Sequence, residues 1–369
     1  MLSNALRLVR VYHDLTVSEA AERIGLSKSY ISEIENNKKK VSMDVLEKYS
    51  CAFDIPMSSL MSNRRGYNRN QSRLFRIKSP AQLCDVLLIS KEQLQMLLSA
   101  RDNYIRWTDK ETGRSIQRPK PLLEKIHKRA AVLLARIETP DFLHSAVKGR
   151  SYISNANMHD AALPTVKVDI RKFYPSTRAQ EVFHFFRDRM ECDGDVSGIL
   201  AQLLTVDGHL ATGSSVSPIL SYFAYENMFG EIQKLAEREL CLMTCYVDDV
   251  VITGKGATRR MIREAIKIIR NYRLWGHKTK SFKYGQPKVI TGVAVTRSGQ
   301  RLPNKRQQQI ALEMEKLKVA ATDSERLVIM RRLTGKLYEA TQVDPSWRNQ
   351  ADTAAQQQKA LMRKLRSGS

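Results

Sequence analysis

The chain has 369 residues, 42% of them hydrophobic, and its 61 Lys and Arg against 38 Asp and Glu leave a formal net charge of +23. That length and apolar share suffice for two or three domains with sizeable cores and exclude a disordered tail, and no apolar run nears the roughly 20 residues a membrane-spanning helix needs. Five scattered cysteines suit a reducing compartment, and no charged-then-apolar leader opens the chain, so the cytoplasm is the expected location and no membrane partner is expected.

The charge is unevenly distributed. Within residues 1–60 eight basic and eight acidic side chains cancel, so the whole surplus lies in residues 61–369. A surplus of that size points to a polyanion, most directly nucleic acid, as the partner of the larger part.

Residues 1–60 read as a small helical bundle. Val17–Ile24 has an amphipathic pattern, Gly25-Leu26-Ser27 breaks it, and Ser27 stands where it caps the next helix, Lys28–Asn36; a further helix covers about Ser42–Phe53. Ser18–Asn36 resembles the phage-repressor type of helix-turn-helix domain. That resemblance implies a second helix presented to nucleic acid, with Ser27, Lys28, Ser29, Tyr30 and Ser32 as the contacts. The balanced charge, relieved only by the corner Lys38-Lys39-Lys40, leaves two partners open: operator DNA, or a protein such as an effector or a second copy of the chain.

Ser62–Ser72 is polar, basic and poor in core residues, and the linker is set at 62–75. Helical patterning returns from Pro80 to Asn103. A polar turn at Lys110-Glu111-Thr112-Gly113 then predicts a hairpin within Trp107–Pro121. Arg114 on that hairpin has the guanidinium geometry to grip a triphosphate. Leu122–Ile137 reads as a basic amphipathic helix.

Two stretches carry the chemistry. Leu240–Gly254 holds Asp248 and Asp249 between two strand-like apolar runs, which predicts strand, tight turn, strand. Adjacent carboxylates repel each other and gain nothing from burial unless a cation sits beside them. Hard oxygen ligands on a rigid hairpin suit Mg²⁺. Two acids rarely hold a catalytic metal pair alone, so a third is expected. Val166–Ser176 supplies it: an alternating strand ending in Asp169, followed by Phe173 and Tyr174. Three carboxylates suit two-metal phosphoryl chemistry, in which one ion activates a hydroxyl and the other stabilises a leaving pyrophosphate.

In this order the motifs resemble those of reverse transcriptases. Arg114-x-Ile116-x-x-Pro119 is similar to the fingers hairpin and Asp169-x-x-x-Phe173-Tyr174 to the first palm motif. Gly213 through Ser217-Pro218-x-Leu220 is similar to the second, Tyr246-x-Asp248-Asp249 to the third, and Gly276-His277-Lys278-Thr279-Lys280 to the lysine-bearing fourth. The resemblance implies a multidomain chain: an all-α helix-turn-helix domain (1–61), the linker, an α+β right-hand polymerase with fingers and palm (76–300), and a helical thumb (301–369). It implies catalytic Asp169, Asp248 and Asp249, two Mg²⁺ ions held at Asp169, Ile170, Asp248 and Asp249, and dNTP contacts at Arg114, Tyr174, Gly213 and Lys280. Tyr174 would exclude a 2′-hydroxyl, and Lys280 or Lys278 would serve the pyrophosphate. The second motif departs from the usual Pro-Gln-Gly by carrying Ala211-Thr212-Gly213, and Tyr222 stands where an Asn is common.

Asn155-Ala156-Asn157-Met158-His159 and Ile290-Thr291-Gly292 resemble the two segments typical of retron reverse transcriptases. That narrower resemblance implies a cognate structured noncoding RNA as template and primer, synthesis from a guanosine 2′-hydroxyl, and a single-stranded DNA product linked to RNA, in systems that defend against phages. It makes Asn155 and His159 expected contacts of RNA or primer. Two alternatives stay open: a defence-associated or abortive-infection reverse transcriptase with another primer, and a nucleic-acid-binding regulator. Helices are expected over Lys305–Val319 and Asp323–Thr341, with Asp344-Pro345 breaking the chain before a final basic helix. The sequence leaves oligomerisation open.

Overall fold

The computed structural model describes residues 6, 7, 9, 10, 15–36, 38, 39, 41–53, 68–110 and 112–367. The chain forms two compact units, one of Met1–Arg69 with Arg136–Asp141 and one of Asn70–Ala135 with Phe142–Ser369. Residues 62–67 of the linker expected at 62–75 and part of the Lys38–Lys40 corner fall outside the described residues. The linker's last residues do not stay free: Leu74 is fully buried, and its carbonyl accepts from Cys192 Sγ at 3.2 Å.

The small unit is built on helices α1 (Val17–Ile24), α2 (Lys28–Glu35) and α3 (Met43–Phe53). Thr16 and Glu19 form a reciprocal capping box at the start of α1, satisfying two otherwise orphaned backbone donors. Gly25 ends α1 with φ 71°, a left-handed conformation open to glycine without strain. The Ser27 hydroxyl caps α2 by accepting from Tyr30 N, as its position predicts. Leu6, Ala20, Ala21, Ile24, Ile31, Ile34, Leu46 and Tyr49 fill the core. The small Ala20-Ala21 pair lets the helices approach closely. One buried ion pair crosses the unit: Arg10 Nε and Nη2 each donate to Glu35 at 2.8 Å.

The large unit opens with α4 (Pro80–Leu87) and α5 (Lys91–Ser99), then the antiparallel hairpin β1 (Tyr104–Thr108) and β2 (Ser115–Pro119). Helices α6 (Pro121–Leu134) and α7 (Tyr152–Asn157) lead to β3 (Thr165–Ile170). Helices α8 (Phe173–Ser176), α9 (Ala179–His184), α10 (Gly194–Leu204), α11 (Ser217–Ala224) and α12 (Glu226–Arg238) follow. The hairpin β4 (Leu242–Tyr246) and β5 (Asp249–Thr253), α13 (Arg259–Asn271) and β6 (Gly276–Phe282) complete a four-stranded antiparallel sheet of order β4-β5-β3-β6. Val166, Val168, Val250, Val251 and Ile252 are almost wholly buried, which explains why these central strands read as apolar runs.

A second sheet joins β7 (Lys288–Ile290), β8 (Val293–Thr296) and β9 (Gly299–Arg301). Three helices end the chain: α14 (Asn304–Val319), α15 (Asp323–Val343) and α16 (Arg348–Ser367), around Leu302, Ile310, Met330, Leu333 and Leu337. The break at Asp344-Pro345 has a direct cause. The Asp344 carboxylate caps the next turn by accepting from Ser346 N at 3.1 Å, and proline cannot continue α15. No helix among the described residues is long and apolar enough to cross a membrane.

Candidate active site

The sheet register brings the three predicted acids to one end. Asp169, near the end of β3, pairs directly with Asp249, the first residue of β5. Val247-Asp248 form the two-residue turn between Tyr246 and Asp249, and Ile170 N donates to Asp248 O at 2.9 Å. The turn is strained. Val247 has φ 58°, a left-handed conformation that a β-branched side chain rarely adopts, at a cost on the order of 1–3 kcal/mol. It is held by Ser145, whose buried hydroxyl accepts from Val247 N at 3.0 Å. Residues 142–145 brace the outer side of β4: Cys245 N donates to Phe142 O at 2.7 Å and His144 N to Cys245 O at 2.8 Å.

Two cationic or polar side chains engage the acids. Lys167 Nζ lies 2.7 Å from Asp249 Oδ2, and His277 Nδ1 lies 3.0 Å from Asp169 Oδ1. Lys167 was readable in principle. It sits two residues before Asp169 and so shares its face of β3. Burial, reinforced by the charges of Asp169 and Asp249, pushes the Asp248 carboxyl up to about 6. Burial and then the Asp249 charge raise Asp169, against the opposing pull of His277, Lys278 and Lys167. Asp249 Oδ1 is buried without a hydrogen-bond partner. Crowded carboxylates that raise one another, with one oxygen orphaned, have the donor chemistry for a hard divalent cation. Ile170 is fully buried, so only its carbonyl oxygen qualifies as a ligand. Among the described residues no three His, Cys, Asp or Glu side chains are already gathered as a finished metal cluster.

Around the acids the other predicted residues take distinct places. Phe173 is core, packed edge-on to Phe229. Tyr174 is half-buried beside it, and burial together with the Asp248 charge raises its phenol. Lys280 pairs across β6 with Lys167, while Lys278 sits at the irregularity between Lys167 and Asp169 with φ 46°. Arg114 is exposed in the β1–β2 loop. Gly213 lies against β2: its N–H donates to Gln117 O at 3.0 Å, and an added Cβ would stand 2.8 Å from that same oxygen. Thr212 makes the Ala-Thr-Gly variant intelligible. Its hydroxyl donates to Ser115 O at 2.9 Å and accepts from Gln117 N at 3.2 Å, tying the loop to the hairpin.

A buried histidine behind this loop was not anticipated. His127 Nε2 donates to Leu203 O at 2.8 Å, which leaves Nδ1 to accept from the Ser214 hydroxyl at 2.5 Å. Burial lowers His127 to about 4, so the ring is neutral. Nothing in the local sequence marks it, because its partners lie 76 and 87 residues away.

A helix-turn-helix family model matches residues 6–60. The retron Se72 reverse transcriptase of Salmonella heidelberg (strain 579083-10) is 29% identical over 213 residues, 54% of this chain and 55% of that protein. The retron Mx162 reverse transcriptase of Myxococcus xanthus is 24% identical over 294 residues, 68% and 59% of the two chains. The retron Ec48 reverse transcriptase of Escherichia coli is 26% identical over 192 residues, 49% and 46%. The chain is related to retron reverse transcriptases. It spans about half the length of the curated relatives it matches.

The two segments singled out by the retron resemblance meet in space. Asn155 Nδ2 donates to Thr291 Oγ1 at 3.3 Å, and Thr291 Oγ1 donates to Tyr152 O at 2.8 Å. Asn155 and His159, the expected contacts of RNA or primer, are buried, at 0% and 4% exposure. His159 instead spans β4 and β5, with Thr253 Oγ1 at 2.8 Å from Nδ1 and Thr244 Oγ1 at 2.7 Å from Nε2. Burial lowers it to about 3, so it is neutral. The chain of contacts continues from Thr253 to the Thr165 hydroxyl at 2.8 Å and to the buried Lys288 amine, 2.9 Å from Thr165. These residues tie down the β4–β5 hairpin at the end away from the acids.

In the small unit, Ser27, Lys28 and Ser29 are exposed together at the start of α2. Tyr30 is half-buried beneath Lys39, whose amine stands 4.6 Å from the ring centre. Ser32 is half-buried, its carbonyl accepting from Asn36 Nδ2.

Proposed function

We propose that this chain is an RNA-directed DNA polymerase of the retron kind. The observation that carries the reading is the convergence of Asp169, Asp248 and Asp249 at one end of β3 and β5, in a body related to retron reverse transcriptases. On this reading the unit is a right hand, with the β1–β2 hairpin in the fingers, the four-stranded sheet as the palm and α14–α16 as the thumb.

Two Mg²⁺ ions held by Asp169, Asp248, Asp249 and the Ile170 carbonyl would lower the pKa of the priming hydroxyl and neutralise the leaving pyrophosphate. The chain's own residues do the rest. Arg114 grips the triphosphate. Tyr174 stands under the sugar and rejects a 2′-hydroxyl by steric exclusion. Gly213 lets the templating loop lie against β2. Lys280 or Lys278 serves the pyrophosphate. Lys167 and His277 restrain Asp249 and Asp169 so that the acids stay ordered.

The template and primer on this reading are one structured noncoding RNA, extended from a guanosine 2′-hydroxyl into RNA-linked single-stranded DNA in anti-phage defence. The contact between the two retron-like segments, through Asn155 and Thr291, favours this over a reverse transcriptase with another primer. The small unit supplies a contact to operator DNA or to an effector protein. Incorporation of labelled dNTP on a primed RNA template, lost in Asp248→Asn and Asp249→Asn, is the expected result; incorporation that survives both overturns the polymerase reading. Nucleic acid extracted from cells carrying the native locus should contain a DNA that shortens on debranching, and its absence refutes the retron part.

A further inference from the structure

Helix α13 carries a row of cations with no ion pair among the described residues. Arg259, Arg263, Lys267 and Arg270 are all exposed and recur at helical spacing, so they lie along one outer face. Arg260 and Arg273 flank the row, and both are exposed. None of the six has a carboxylate within ion-pair distance among the described residues. Glu264 is the one acid on the helix. Like charges three and four residues apart destabilise a helix, and Glu231 of α12 pairs with Tyr272 and not with the row. Arg273 even occupies a left-handed position, φ 57°, where glycine would be unstrained.

The opposite face of α13 is clamped to the central sheet by Met261, Ile262, Ala265 and Ile269. An added Cβ at Gly276 of β6 would stand 3.1 Å from both Ile266 and Val168. The cations therefore project from a rigid support. The sheet's other face carries the acids: Lys167 reaches Asp249 from it, whereas Val168 points toward α13.

Successive members of the row are about 4.5 to 6 Å apart along the axis, from the rise of about 1.5 Å per residue. That spacing suits successive phosphates on one strand of an A-form duplex, and A-form RNA is recognised by its backbone and shape. α13 itself contains no aromatic residue to stack on unpaired bases, and the exposed Trp275 lies beyond its end, which favours a stem over a single strand. We propose that the outer face of α13 is a rail for the phosphate backbone of a double-stranded RNA stem, on the face of the sheet opposite the active site. The proposal goes beyond the polymerase reading, and its binding readout does not need activity.

The test uses the full chain with Arg259, Arg263, Lys267 and Arg270 all replaced by Gln. The control replaces Lys91, Arg101, Lys125 and Lys128, also exposed, by Gln. Affinity is measured against salt for a 20-base-pair RNA duplex and a DNA duplex of the same sequence. The rail variant should lose about a hundredfold or more in RNA-duplex affinity, and its slope of log K against log salt should shrink by about 3 to 4. The DNA duplex should bind more weakly and lose less, and the control should stay within about threefold of wild type for RNA. An unchanged slope, an equal loss in the control, or an equal loss for DNA overturns the proposal. Removing mutual repulsion should leave the melting temperature equal or higher, so a lowered one would also count against this reading of the row. Extension of a short, saturating, pre-annealed primer–template should proceed at the wild-type rate; a slowed rate would place the row in catalysis and overturn the rail.

Discussion

Replacing Asp248 with Asn should stabilise the protein while abolishing the proposed chemistry. The structure sets the size of the effect. Burial and two neighbouring carboxylates raise Asp248 from 3.8 to about 6. Ionising it in the folded state therefore costs about 3 kcal/mol more than in the unfolded chain, at about 1.4 kcal/mol per unit. Because the group is only half-buried, solvent screening brings the expected gain to about 2 kcal/mol. The sign follows from proton counting: between 3.8 and about 6 the folded state binds more protons than the unfolded one, so stability falls as pH rises through that window. Asn removes the penalty. The variant should exceed wild type by about 2 kcal/mol at pH 8 without divalent metal, about 4 °C in melting temperature. The difference should close as pH falls towards 4. Added Mg²⁺ should raise the wild-type melting temperature and narrow the gap from the other side. A variant no more stable than wild type at pH 8, or a gap indifferent to pH, would refute the account of these acids as a strained, cation-demanding cluster.

The other predictions concern packing around the site. Gly213→Ala pushes a methyl group to within 2.8 Å of the Gln117 carbonyl, a backbone atom that cannot rotate away; overpacking on the order of 1–3 kcal/mol should displace the loop and raise the KM for dNTP in single-nucleotide extension. His127→Ala removes the acceptor of Ser214 and the donor to Leu203; a loss of about 2–4 kcal/mol in urea unfolding is expected, with partial rescue by Gln. His159→Ala orphans the Thr244 hydroxyl and leaves Thr253 only its Thr165 contact; it should lower stability by about 1–3 kcal/mol while leaving the intrinsic affinity for RNA at low temperature unchanged, and weakened binding with unaltered stability would support a direct contact. Glu35→Gln leaves the buried Arg10 guanidinium uncompensated; a cost of about 3–5 kcal/mol should melt the small unit, and an unshifted melting transition would contradict the pair's importance.

The three acids of the candidate site were legible because their signal is local. A strand ending in Asp169, and two apolar runs around Asp248-Asp249, need only periodicity and the cost of adjacent charges to be noticed. The Ser27 cap and the Asp344-Pro345 break are local in the same sense and stand where expected. Asn155 and His159 show the limit. Their segment marked them out, but only the structure shows both side chains buried, with Asn155 against Thr291 and His159 between Thr244 and Thr253. Ser145 and His127 left no trace at all, since a serine or histidine acquires its meaning from partners about a hundred residues away in the chain.

By itself the sequence determined which residues bear charge, which runs are strands or helices, and that Asp248 and Asp249 stand on a tight hairpin and Asp169 near a strand end. Only the tertiary structure decided that Asp169 stands opposite Asp249, that Val247 is strained against Ser145, that the two retron-like segments touch, and that the cations of α13 form one unpaired row on the face away from the acids. The division is physical. Propensity, periodicity and local charge act within a few residues, whereas strand register, burial and the pairing of Lys167 with Asp249 depend on which distant segments the core forces together.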